Sequence, residues 1–139
     1  MRPSSRFRYA LKALADLALH DGTGPVTIRA IARRQALPAP SLEQLFNLLR
    51  RKGLVEAERG PRGGYRLSRP AAKITIQEIF ELFEPGKKKV LAQDPAYSIW
   101  QQVEKAVRTT LRATTLKTVA EQLRDQTAAP IQHRYTFHI

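Results

Sequence analysis

With 139 residues the chain has the length of one domain, or of one domain plus an assembly segment, enough to bury about 70% of its unfolded surface. Its 24 Lys and Arg against 12 Asp and Glu leave a net charge of +12, and a balance that basic expects a polyanion, nucleic acid before an anionic membrane. The absence of cysteine excludes disulfides, thiolate metal sites and a Cys nucleophile, and no run approaches the roughly 18 apolar residues of a membrane span.

The N-terminal Arg2, Arg6 and Arg8 precede an apolar stretch in the manner of a secretion leader. Lys12 and Asp16 interrupt that stretch and residues 21–25 are turn-like, so a cytoplasmic helix is expected instead. Ser4 or Ser5 caps this first helix, which reaches about His20 with Ala10, Leu14, Leu17 and Ala18 on one face. After the turn, Thr27 caps a short helix carrying Ile28, Ile31 and Ala32, with Arg29, Arg33 and Arg34 expected outward. A third helix runs from about residue 40 to 52. Pro40 sits at its start, Leu42, Leu45, Phe46 and Leu49 point inward, and Gly53 ends it. Two short alternating runs, 54–58 and 65–68, flank the tip Arg59-Gly60-Pro61-Arg62-Gly63-Gly64 and predict a β-hairpin. Thr75 caps a fourth helix to about Phe83. A basic loop with Lys87, Lys88 and Lys89 follows, then a long helix over 96–113, then a further helical run beginning near Thr114 or Thr115. The alternation of Ile131, Tyr135, Phe137 and Ile139 predicts a terminal strand, pairing within or between subunits.

The positive charge is segregated. Residues 1–73 hold fifteen basic side chains against five acids, whereas residues 74–139 hold nine against seven. The first half is thereby the half that meets the polyanion. Its order of helix, helix, helix and β-hairpin is that of a winged helix-turn-helix: a mainly α fold with a small β-hairpin wing and a long dimerisation helix. With the apolar face of the third helix inward, Ser41, Glu43, Gln44, Asn47 and Arg51 are presented outward. Gln pairs with adenine, Glu accepts from the cytosine amino group, and Ser reads base or phosphate, so Ser41, Glu43, Gln44 and Asn47 are candidate base contacts. Arg59 and Arg62 at the wing suit the negative potential of a narrow minor groove. Ser4, Ser5, Arg6 and Tyr9 at the first helix N-terminus, with Arg51, are candidate phosphate contacts.

Five stretches carry a resemblance: Arg8-Tyr9-Ala10-Leu11, Thr27-Ile28-Arg29-Ala30-Ile31-Ala32, Leu42-Glu43-Gln44-Leu45-Phe46, Leu49-Arg50-Arg51-Lys52-Gly53-Leu54-Val55, and the wing from Arg59 to Leu67. Together and in order they resemble the Rrf-type bacterial transcription regulators, closely over residues 1–84 and in layout over 96–126. The resemblance implies a homodimer on a palindromic operator, with Glu43 and Gln44 reading bases and Arg59 in the minor groove. Two departures follow. Pro40 stands where the family often has a hydroxyl residue, passing any contact there to Ser41. The loop 85–95, which holds three cluster-binding cysteines in many relatives, has none here, so sensing through a Cys-ligated iron–sulfur cluster is excluded and no cofactor or metal is expected. Lys87, Lys88 and Lys89 could instead meet an anionic effector, an acidic partner or flanking DNA, or simply be solvated. The scattered His20, His133 and His138 fit surface positions better than haem.

The expected organisation is a DNA-binding domain at 1–84, a basic loop at 85–95, dimerisation helices at 96–126 and a tail at 127–139. Ile99, Trp100, Val103, Val107 and Leu111 form the candidate dimer stripe, the alternative being core packing within one chain. The expected function is a cytoplasmic, dimeric, sequence-specific regulator of transcription, read as a repressor. The competing classes are a nonspecific or architectural DNA-binding protein and a winged-helix module that binds a partner protein. No catalytic residues are expected: there is no phosphate-binding glycine loop, no Ser–His–Asp pattern and no metal-ligand spacing.

Overall fold

The computed structural model describes residues 3–84 and 94–128. Ser4 opens α1 (Ser5–Leu19), its Oγ accepting the Phe7 N–H at 3.2 Å and so satisfying one of the amides that a helix start leaves without a partner. Phe7, Ala10, Ala13, Leu14, Ala15 and Leu17 of α1 are buried. The three alanines let neighbouring elements pack close, and α2, α3, α4 and α6 all pack on this helix. α2 (Ile28–Gln35) is capped by Thr27, which accepts the Ala30 N–H at 3.1 Å. α3 (Ala39–Arg51) carries Pro40 in its first turn, where a missing N–H costs nothing, and buries Leu42, Leu45, Phe46 and Leu49 as its spacing predicts. Lys52 closes α3 and Gly53, at φ +77°, turns the chain away.

The wing is an antiparallel pair, β1 (Val55–Glu58) and β2 (Gly64–Leu67), with Val55 opposite Leu67 and Glu58 opposite Gly64. Val26 adds a bridge to it: its N–H and carbonyl exchange two 2.8 Å bonds with Tyr65. Gly64 makes that approach possible. A Cβ there would lie 2.5 Å from the Val26 carbonyl oxygen, and its φ of +148° disfavours any L side chain.

A 3-10 turn at Ala71–Lys73 leads into α4 (Ile76–Phe83). Thr75 and Glu78 form a reciprocal capping box there. α5 (Pro95–Ala113) contributes no buried residue and lies against α4. α6 (Leu116–Ala128) packs on α1 and places Leu116 and Ala120 in the same core as Leu14, Ile31 and Phe46. Its entry is pinned by main chain: Ile76 N–H donates to the Thr114 carbonyl at 2.9 Å and Leu116 N–H to the Ile74 carbonyl at 2.8 Å.

The fold is therefore mainly helical with a two-stranded wing, as the sequence predicts. Three details differ from expectation. Arg34, exposed as expected, is not a free surface cation: it pairs with Asp16 on α1. α6, grouped by sequence with the assembly helix, contributes to the core of the winged domain. Thr127 and Ala128, grouped with the tail, complete α6. Lys87, Lys88 and Lys89 and the expected strand beyond residue 128 lie outside the described residues.

Candidate nucleic-acid interface

Burying one face of α3 fixes what the other presents. Glu43, Gln44, Asn47 and Arg51 are exposed and Ser41 is half-buried. The Arg51 Nε reaches the Asn47 carbonyl at 3.4 Å, laying the cation along the C-terminal turn of the helix. On the inward side the Phe46 ring meets the Tyr65 ring of β2 at a centroid distance of 4.7 Å, which ties the orientation of α3 to the base of the wing.

The N-terminal turn of α1 borders the same helix. Ser5, Arg6 and Tyr9 line a groove of about 240 Å³ with Ser41, Gln44 and Leu45, so two sets of polar residues far apart in sequence share one surface depression. Ser4 is used as the cap, although its hydroxyl hydrogen remains available to donate. At the wing, Arg66 pairs with Glu58 at 2.7 Å and with Glu56 at 3.5 Å. These surface pairs contribute little stability, but they occupy both β1 carboxylates. Arg59 and Arg62 are exposed, and among the described residues no carboxylate pairs with either. The tip is closed by the Gly63 N–H on the Gly60 carbonyl at 2.9 Å.

Behind this surface lies a buried ionic clamp that the sequence pattern did not reveal. Asp16 is 1% exposed. Its carboxylate accepts Arg34 Nε at 2.9 Å, Arg34 Nη2 at 2.7 Å and Gln35 Nε2 at 2.9 Å, while His20 Nδ1 lies 3.6 Å from Oδ1. Burial by itself pushes the Asp16 carboxyl upward. The hydrogen bonds from Arg34 and Gln35 and the charge of Arg34 outweigh it and hold the group below its ordinary value. The same pairing raises Arg34. The bidentate fork fastens α2, and with it the connection into α3, to α1. An acid on the otherwise apolar face of α1 is the available signal, and it asks for a cationic partner.

The comparisons with known proteins fit this geometry. Residues 3–122 match the Rrf2 profile, described as iron-dependent transcriptional regulator. The chain belongs to the Rrf2 family. A putative HTH-type transcriptional regulator of Neisseria meningitidis, NMA1593, is 37% identical over 132 residues, 88% of this chain and 89% of that one. Among solved structures, IscR of T. potens superposes with a TM-score of 0.81 at 34% identity, covering 97% of each chain. CymR of B. subtilis, the global cysteine regulator, gives a TM-score of 0.79 at 32% identity, covering 88% of this chain and 98% of that one. These relatives are named as regulators, and this Rrf2 chain shares their winged-helix fold.

A thiolate-held iron cluster finds no matching donors in this member. A cluster needs thiolates and the sequence has no cysteine. Residues 85–93, Pro-Gly-Lys-Lys-Lys-Val-Leu-Ala-Gln, carry no histidine or carboxylate either, and among the described residues no three His, Asp or Glu gather as a metal site. The residues present do not fit an iron–sulfur group.

The candidate assembly stripe of this Rrf2 protein is split by exposure. Ile99, Trp100 and Val103 are 64%, 41% and 38% exposed, whereas Val107 and Leu111 are half-buried and Leu111 packs against the core. Among the described residues no helix is long and apolar enough to cross a membrane.

Proposed function

We propose that this Rrf2 protein is a homodimeric, sequence-specific regulator that binds duplex DNA and represses transcription. α3 enters the major groove, where Gln44 and Glu43 read base edges with Ser41 and Asn47 beside them. The wing 59–64 carries Arg59 and Arg62 into the minor groove, and Ser4, Ser5, Arg6, Tyr9 and Arg51 hold phosphates. The observation that carries this reading is the shared groove in which Ser5, Arg6 and Tyr9 of α1 meet Ser41 and Gln44 of α3. Backbone anchors beside base readers are what docking on one duplex demands, since phosphate contacts fix register and base contacts specify sequence. The exposed Ile99, Trp100 and Val103 of α5 supply the dimer seam. A two-fold dimer calls for a palindrome with half-sites about 34–36 Å apart, or a multiple of that. Such a protein works in the cytoplasm, with the chromosome.

The test is selection of bound sequences from a random duplex pool by the purified full chain. An enriched inverted repeat is the expected result. Replacing Gln44 by Ala relaxes preference at one position by about 1–3 kcal/mol, while replacing Arg6 by Gln weakens all sequences alike. Uniform recovery of the pool identifies a nonspecific DNA-coating protein, and failure to retain any duplex at low salt refutes DNA binding altogether.

A further inference from the structure

We propose that Phe83, in the last turn of α4, is a positioning residue for Arg6, so that α4 sets the affinity for duplex DNA without touching it. The proposal rests on the DNA-binding reading above. The guanidinium carbon of Arg6 lies 5.6 Å from the centroid of the Phe83 ring, within the roughly 6 Å reach of a cation–π contact. One turn earlier on α4, Phe80 meets Phe7 edge-on at 5.3 Å. Adjacent residues of α1 are thereby gripped by two aromatic rings of one helix face, Phe7 in the core and Arg6 at its rim. The same Arg6 lines the groove with Ser41 and Gln44, and among the described residues no carboxylate pairs with it. The contact leaves the cation usable: the ring attracts the charge without consuming an N–H donor, so the guanidinium N–H groups remain free for a phosphate. A side chain with this much rotamer freedom binds better when it is already held.

The test is anisotropy titration of a labelled random-sequence duplex, and of the selected operator, with the full chain over a series of salt concentrations. F83L weakens binding to both duplexes by roughly two- to five-fold per subunit. In an R6Q background the same change has no further effect. F83W, the stronger cation–π partner, tightens binding only while Arg6 is present, and it carries the test if F83L does not fold. R6Q lowers the salt slope by about 0.9 per subunit and F83L lowers it by less, whereas a merely packing role for Phe83 leaves the slope unchanged. Equal losses from F83L with and without Arg6, or no response to F83W, overturn the positioning role while DNA binding stands. A wild-type chain that binds neither duplex overturns both.

Discussion

Asp16→Asn isolates the clamp between α1 and α2. The substitution keeps the size of the side chain and removes its charge. It also turns an acceptor of three short bonds, two from Arg34 and one from Gln35, into a group that must aim its own N–H donors at one of them. Removing one member of a buried pair costs about 3–5 kcal/mol when the other is left dry. Here the Arg34 side chain is 38% exposed, so the orphaned guanidinium rehydrates, and the loss falls to about 2–3 kcal/mol, nearer the net worth of hydrogen bonds to a charged group. With an m-value of about 1–3 kcal/mol/M the urea midpoint drops by about 0.7–3 M, measured at one fixed protein concentration because any assembly adds to stability. The pH dependence has a definite sign. The folded-state pKa of Asp16 lies below the ordinary 3.8, so its contribution is complete above 3.8 and is lost as pH falls through the folded value. The wild-type and D16N midpoints therefore differ fully at neutral pH and converge in acid. Equal midpoints at neutral pH, or a gap that widens on acidification, refute the clamp.

Leu116→Ala removes a fully buried side chain from the shared core and costs about 2–5 kcal/mol in urea unfolding; a loss comparable to that of an exposed leucine contradicts α6 as part of that core. Gly64→Ala forces a Cβ against the Val26 carbonyl, so hydrogen exchange at the Val26 and Tyr65 amides accelerates by about ten-fold or more, and unchanged protection speaks against the bridge. Replacing both Ile99 and Val103, two exposed residues of α5, by Lys converts the proposed dimer to monomer in sedimentation equilibrium with little change in domain stability. An unchanged mass moves the seam elsewhere.

What the sequence made legible was local. Ser4, Thr27 and Thr75 each precede an apolar periodic run, and each is found capping its helix, because a cap and its amide lie three residues apart. The hairpin was readable for the same reason: two alternating runs flank glycines that permit the turn. The long-range pairings were not readable. Arg34 looked like one more outward cation among Arg29 and Arg33, and only the packing of α2 on α1 brings it 2.7 Å from Asp16. Val26 stood in a turn-rich stretch with no alternation of its own, yet it bridges Tyr65. Of the candidate interface, the polar face of α3 followed from periodicity. The meeting of Ser5, Arg6 and Tyr9 with Ser41 and Gln44 depends on how two helices cross, which no spacing within either one encodes.

The placement of α6 gives these pieces a mechanical order. In the proposed dimer, half-site spacing on a palindrome demands that the seam stand at a fixed distance from α3, and a long helix joined by a flexible hinge could not hold that distance. Here α5 is referenced to the winged domain where it meets α4 and again at its C-terminal end. It lies against α4, and the residues that follow it are bound by the exchange between Thr114–Leu116 and Ile74–Ile76. Leu116 then enters the core beside α1, the helix that carries the proposed Arg6 anchor and, through Asp16, fastens α2. A shift at the proposed seam is therefore transmitted to packed elements whose interiors are dense and resist gradual deformation. In the proposed dimer the spacing of the two α3 helices is thereby set by the packed core.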